Sequence, residues 1–175
     1  MESERELNFD ENFSLALLAL KFRALLLGGV ACNIYGSTRY SQDVDWWLDP
    51  SGGVEAWTAR LMEVCAFMKA AMDIVRLRGH LRLGSLPGDA AVLPERVRRT
   101  IEEDAVVRCC QGEGMVDIFF APHQLDDFEA AWQRAKPWDG GLRVLSIPDL
   151  IRSKEGTGRD KDKADIDFLR RHEKP

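Results

Sequence analysis

The sequence predicts an α/β (α+β) domain: a mixed β-sheet flanked by helices and closed by a short C-terminal helical tail. Three observations carry this expectation. Apolar runs of strand length alternate with longer stretches whose apolar residues recur at helical spacing. Two runs, Ala105 to Cys110 and Met115 to Phe120, are joined by Gln111-Gly112-Glu113-Gly114 and read as a hairpin. The run Arg23 to Gly28 ends on a glycine pair and passes straight into a helical segment.

Taken in order, Phe13 to Phe22 reads as a helix. Phe13, Leu17, Leu18 and Leu20 cluster on one side, with Asp10 as its cap. Arg23 to Gly28 has the length of a buried strand, and Val30 to Tyr35 is a helix that Gly36 ends. Val44 to Leu48 is the second strand, stopped by Pro50 to Gly53. Val54 to Met72 is a helix with Trp57, Leu61, Val64, Cys65 and Met68 inward. Alternation marks Ile74 to Arg78 as a strand, and Gly84, Pro87, Gly88 and Pro94 mark loops. Glu95 to Glu103 is a short helix with a basic face. After the hairpin come a helix at Leu125 to Ala135, a break at Pro137 to Gly141 and a strand at Leu142 to Ile147. Pro148 opens a helix through Asp149 to Glu155, and Asp160 to Arg171 forms the last one. No repeat interrupts this order, so residues 1–175 read as one domain, with a core over 23–147 and terminal helices over 148–171.

Composition narrows the function classes. The 175 residues suit one domain, and 45% apolar content supports a core. A net charge of -5, from 24 basic and 29 acidic side chains, argues against a charge-driven nucleic-acid coat. Arg76, Arg78, Arg82, Arg96, Arg98 and Arg99 form the one basic concentration, read as a solvated face or as a groove for a phosphate-rich acceptor such as tRNA. Cys32, Cys65, Cys109 and Cys110 lack zinc or redox spacing and read as buried thiols of a reducing compartment. His80 and His123 have no metal partner at useful spacing and read as surface or loop residues. Met1 to Asp10 is acidic and no signal peptide, and Leu15 to Val30 is broken by Lys21 and Arg23. The expectation is a cytoplasmic protein without a membrane partner.

Asp43 and Asp45 flank Val44 and project from one strand face, ahead of Trp46, Trp47 and Leu48. Two carboxylates cannot be buried together without a cation or a proton. A pair of Mg²⁺ ions, which prefer carboxylate and phosphate oxygens, would account for them. Asp117 has the same setting inside Met115-Val116-Asp117-Ile118-Phe119-Phe120, and converges with the pair if its strand lies alongside. It would then ligate a metal and help to remove an acceptor's proton. Gly28 and Gly29 end a strand before a helix, where backbone N–H groups can approach phosphate closely. An exposed strand edge is the competing reading of the aspartates.

These residues resemble a known signature. Leu27-Gly28-Gly29, thirteen residues, then Asp43-Val44-Asp45-Trp46, with Val116-Asp117-Ile118 later, is similar to the nucleotidyltransferase superfamily, the polymerase-beta-like fold. Leu27 to Ala31 with Tyr35, Gly36 and Arg39 resembles its minimal bacterial members, which include abortive-infection toxins and small antibiotic nucleotidyltransferases. Leu145 to Ile151, followed by Lys154, Arg159, Asp162 and Asp165, resembles the closing segment of the toxin-like group.

The resemblance implies a nucleotidyltransferase-like sheet and transfer of a nucleoside monophosphate from a nucleoside triphosphate, ATP among the candidates, to a hydroxyl group. It implies Mg²⁺, two ions, on Asp43, Asp45 and Asp117. Gly28 and Gly29 would hold phosphates, Lys154 would approach the triphosphate, and Arg39 would assist near it. The acceptor stays open between an RNA end, a protein and a small molecule such as an antibiotic. An antitoxin partner and a homo-oligomer stay open too, and a catalytically silent nucleotide- or protein-binding relative is the alternative. On the sequence alone, Trp46 and Trp47 read as core, with stacking on a base as the rival. Asp162 and Asp165 read as helix-face partners of Arg159, Lys161 or Arg170. Val30-Ala31 departs from the family, where many members carry a serine-bearing turn after the glycines.

Overall fold

Helix α1 (Phe9–Ala19) leads into β1 (Ala24–Leu27), whose four apolar residues are all buried. The molecule is seen in a computed structural model that describes residues 9–41, 43–68, 71–76, 90–102, 105–111 and 114–173. Next come α2 (Gly28–Ile34), β2 (Val44–Leu48), α3 (Gly53–Met68) and β3 (Ala71–Arg76). A 3₁₀ turn at Ala90–Val92 precedes α4 (Glu95–Glu102) and the hairpin of β4 (Ala105–Gln111) and β5 (Gly114–Phe119). Then follow α5 (Phe128–Arg134), β6 (Lys136–Pro137), β7 (Arg143–Val144), α6 (Ile147–Lys154) and α7 (Asp160–His172).

The seven strands form one mixed sheet in the order β3-β4-β5-β2-β1-β7-β6. β2 pairs with β5 and β1 with β7 in parallel, and the other neighbours are antiparallel. The α+β expectation therefore holds, with local differences. Asp10 lies inside the first turn of α1 instead of capping it. α3 ends at Met68, and β3 begins at Ala71, because its ladder to β4 runs from Ala71↔Cys110 to Arg76↔Ala105. The run Leu142 to Ile147 gives only two ladder residues. Leu145 N–H turns to Leu26 O, and the Ser146 hydroxyl caps α6 by accepting from Asp149 N–H. α5 starts after Asp127, whose carboxylate accepts from Ala130 N–H at 2.8 Å. The end of the expected strand at Arg78, His80, Arg82 and the loop markers Gly84, Pro87 and Gly88 lie outside the described residues, as do Gly112 and Glu113.

Strand alternation sorts the two faces of the sheet. Cys109 on β4 meets Cys65 on α3, their sulfurs 2.9 Å apart, and Phe120 meets Trp57 of α3 edge to face. That face is the main core. Trp46, Trp57, Phe13 and Leu61 are fully buried. Arg108, Asp117 and Asp45 point to the opposite face. Trp47 shares their face further along β2, where Phe128 of α5 covers it and its indole N–H donates to Phe120 O at 2.9 Å. Both tryptophans are thus core residues. No helix among the described residues is long and apolar enough to cross a membrane.

Candidate active site

One rung of the sheet carries the chemistry. Leu27, Asp45, Asp117 and Arg108 are successive Cα partners across β1, β2, β5 and β4. Register partners share a face, so the parallel pairing of β2 and β5 sets Asp45 beside Asp117. Asp43 stands two residues before Asp45, just ahead of β2. All three acids line a cleft of about 320 Å³, as do Gly28, Gly29, Arg39 and Lys154. The seven residues singled out in the sequence therefore meet in one place.

The glycines do more than end a strand. Gly28 has φ +72°, and a Cβ there would overlap the Asp45 carboxylate. A Cβ on Gly29 would overlap the Ser41 hydroxyl and come within 2.9 Å of Arg39 Nη2. The pair lets the backbone press against the acid on one side and against the 39–41 loop on the other.

The second wall comes from the tail. Lys154 is buried on α6, its ammonium 2.8 Å from Asp165 and 3.4 Å from Asp162 of α7. Arg39 grips Asp165 with Nε and Nη2 at 2.8 and 2.7 Å. Asp162 also accepts from Arg159 Nε and Thr157 Oγ1, each at 2.6 Å. Arg159 is therefore the partner foreseen for Asp162, while Arg170 pairs with Glu155 instead. Burial pushes both carboxyls up, but the Thr157 hydroxyl and Arg159 at Asp162, and Arg39 and Lys154 at Asp165, hold them below the usual carboxylate range. The network binds α6, α7 and the 39–41 loop together, using donors that the family resemblance assigns to phosphate.

The three acids differ in their partners. Asp117 accepts from Arg108 Nε and Nη2 at 2.7 and 2.8 Å, so both of its oxygens are engaged. Asp43 and Asp45 have no ion-pair partner among the described residues. Burial pushes the Asp45 carboxyl up to about 7, and the neighbouring Asp117 and Asp43 charges push the same way. Among the described residues, no group of three His, Cys, Asp or Glu side chains is arranged to hold a metal ion. The donor chemistry of the pair still fits a hard cation. Two uncompensated carboxylates in a cleft are what Mg²⁺ uses together with substrate phosphates.

Three cleft residues escaped the sequence reading. Arg108 sits in an alternating strand, where a charged residue passes for a solvent-facing one. Lys161 is exposed at the cleft, and no carboxylate among the described residues pairs with it. Its charge counters the upward push on Asp45. His123, read as a loop residue, lines the cleft, with Nε2 3.0 Å from Glu155 O. Of the basic concentration, Arg98 is taken up by Glu55 and Glu95.

No protein-family profile and no curated protein matches the sequence. Solved structures do. The lincosamide antibiotic adenylyltransferase LnuA, solved with lincomycin bound, is similar at TM-score 0.54 and 15% identity, over 95% of this chain and 98% of that one. The antibiotic-resistance factor ANT(2'')-Ia is similar at TM-score 0.51 and 12% identity, over 91% and 80%. At such identities the likeness is one of fold, and the chain has the nucleotidyltransferase fold.

Proposed function

We propose that this chain, with its nucleotidyltransferase fold, is a magnesium-dependent enzyme that moves a nucleoside monophosphate from a nucleoside triphosphate to a hydroxyl group of a small molecule. The observation that carries this is the rung itself. Asp45 and Asp117 are register partners beside Gly28, and Asp43 lines the same cleft.

Asp43 and Asp45 would hold Mg²⁺, with Asp117 joining when it is free of Arg108. Bound by those carboxylates, the cation would supply charge neutralisation for the phosphates. Gly28 and Gly29 leave room for phosphate oxygens to approach the backbone. Arg39 and Lys154 fix the tail wall, and each keeps an N–H beyond those given to Asp162, Asp165 and Tyr40 O. Lys161 adds a cation that no carboxylate among the described residues pairs with. The acceptor's hydroxyl oxygen bonds to the α-phosphorus, the bond from that phosphorus to the bridging oxygen breaks, and pyrophosphate leaves with the electron pair. Asp117 takes the hydroxyl proton. The family of structures similar to this one favours a small-molecule acceptor, since both named proteins concern antibiotics. The RNA, protein and antitoxin readings rest on the sequence resemblance to the toxin-like members and, for RNA, on the basic concentration between Arg76 and Arg99.

The test is label transfer. The protein is incubated with each α-³²P nucleoside triphosphate, Mg²⁺ and, separately, lincosamides, aminoglycosides, a small-molecule cell extract and total RNA. Label should move to a small-molecule hydroxyl and fall by at least ~100-fold in Asp43→Ala, Asp45→Ala and Asp117→Ala. Label in RNA would replace the acceptor class. Nucleotide binding without transfer to any acceptor would identify a silent relative.

A further inference from the structure

We propose that Arg108 is a positioning residue that withholds Asp117 from cation coordination until a nucleotide binds, so that the free protein takes up one divalent cation, at Asp43 and Asp45. The inference rests on the metal-dependent reading of the cleft and deepens it.

Three features of the rung point this way. First, the Arg108–Asp117 contact is bidentate, 2.7 and 2.8 Å, and occupies both carboxylate oxygens. A planar guanidinium matched to a carboxylate in this way is directional and neutralises its charge. Second, the sheet builds the contact. The two residues are Cα partners on antiparallel β4 and β5, near the middle of a ladder that runs from Val106↔Phe119 to Gln111↔Gly114. Third, the arrangement is lopsided. Asp45, the partner of Asp117 on its other side, and Asp43 have no ion-pair partner among the described residues, while Asp117 is paired with Arg108.

A divalent ion therefore meets two open carboxylates and one closed by a positive charge. Joining Asp117 means approaching the guanidinium, which repels it. A triphosphate reverses the balance. Arg108 lines the cleft and is partly exposed, so phosphate oxygens can reach it and compete for the same N–H groups. As the guanidinium turns to phosphate, Asp117 is released to take a second cation or the acceptor's proton. Asp117 becomes available only when there is a nucleotide to transfer.

The experiment counts bound ions without turnover. Free Mn²⁺ is measured by electron paramagnetic resonance during titration of the nucleotide-free protein. Wild type should bind one Mn²⁺ per chain and Asp43→Ala at least tenfold more weakly. Arg108→Gln should bind two, and Arg108→Lys, which keeps the charge, should return to one. A second readout uses ATP, GTP, CTP and UTP in EDTA by calorimetry. Asp117→Asn, which removes the carboxylate charge that the guanidinium holds there, should bind its nucleotide several-fold more tightly than wild type, and Arg108→Gln more weakly. Two Mn²⁺ in both wild type and Arg108→Gln would overturn the inference and leave the metal reading standing. No Mn²⁺ bound by any variant would overturn the metal reading itself. If Arg108→Gln fails to fold, the Asp117→Asn affinity and the wild-type count decide, and unchanged affinity with a count of two overturns the proposal.

Discussion

Gly28 lies against the Asp45 carboxylate with no room for a single added carbon. The strand-ending glycine and the acid of the next strand are thus one unit, joined by Leu27↔Asp45 pairing one residue away. Gly28→Ala meets two penalties. The backbone sits at φ +72°, which costs a side-chain-bearing residue about 1 kcal/mol or more, and the methyl must displace Asp45. The expected loss is about 1–3 kcal/mol in urea unfolding, with Mn²⁺ affinity falling at least ~10-fold. Unchanged Mn²⁺ binding in a destabilised variant would separate the glycine from the acid.

The Asp45 carboxyl titrates at about 7 when folded, against an ordinary value of 3.8. Between these pH values the folded chain holds a proton that the unfolded chain has lost. Stability in metal-free buffer therefore falls as pH rises from about 4 to 8, by about 2–4 kcal/mol. Asp162 and Asp165, whose values are depressed, act oppositely, losing stability only as pH drops below about 4. Urea midpoints in EDTA at pH 5 and pH 8 check this. Asp45→Asn should abolish most of the difference and exceed wild type at pH 8, and Mg²⁺ should recover stability in wild type alone.

Much of this site was legible because an acid inside an apolar strand is a local signal. Asp45 and Asp117 each interrupt a run that has no use for charge, and Gly28-Gly29 marks the strand's end. The rest needed the fold. Arg39 and Asp165 are 126 positions apart, and no periodicity links a loop arginine to the last helix. Arg108 reads as the outward residue of an alternating strand until β5 shows what it faces. Lys154 held a usable clue. It follows buried Leu150 by four and Ile151 by three, so it lies on the buried stripe of α6, where a lysine must be paired. β6 stayed hidden because a two-residue strand carries almost no pattern, while β7 was foreseen within Leu142 to Ile147 but is only two residues long.

Lys154 should behave as a structural cation. Its side chain is 6% exposed and those of Asp162 and Asp165 are 2% exposed, so removing it leaves buried carboxylates short of a partner. Lys154→Ala should cost about 3–5 kcal/mol, measured by urea unfolding and little affected by salt. Arg39→Ala should cost less, since that side chain is 33% exposed. A double-mutant cycle of Lys154→Ala with Asp165→Asn should show coupling above about 1 kcal/mol. Additive losses would mean that the ammonium does not hold α7.

Lys161 should behave in the opposite way. It is seven residues past Lys154, exposed at the cleft, and free of any carboxylate among the described residues, yet near enough for its charge to act on Asp45. An unpaired ammonium there is suited to triphosphate oxygens, and a charge-assisted bond of that kind is worth about 1.5–3 kcal/mol. Lys161→Ala should leave the urea midpoint within about 0.5 kcal/mol of wild type, because a solvated side chain contributes little to folding. Nucleoside triphosphate binding, followed by calorimetry with Mg²⁺, should weaken roughly 10–100-fold. Nucleoside monophosphate binding should change far less, because the lost contact is to phosphate and not to the base. Equal losses for both ligands would place Lys161 near the nucleoside, and a drop in stability without any change in binding would remove it from the site.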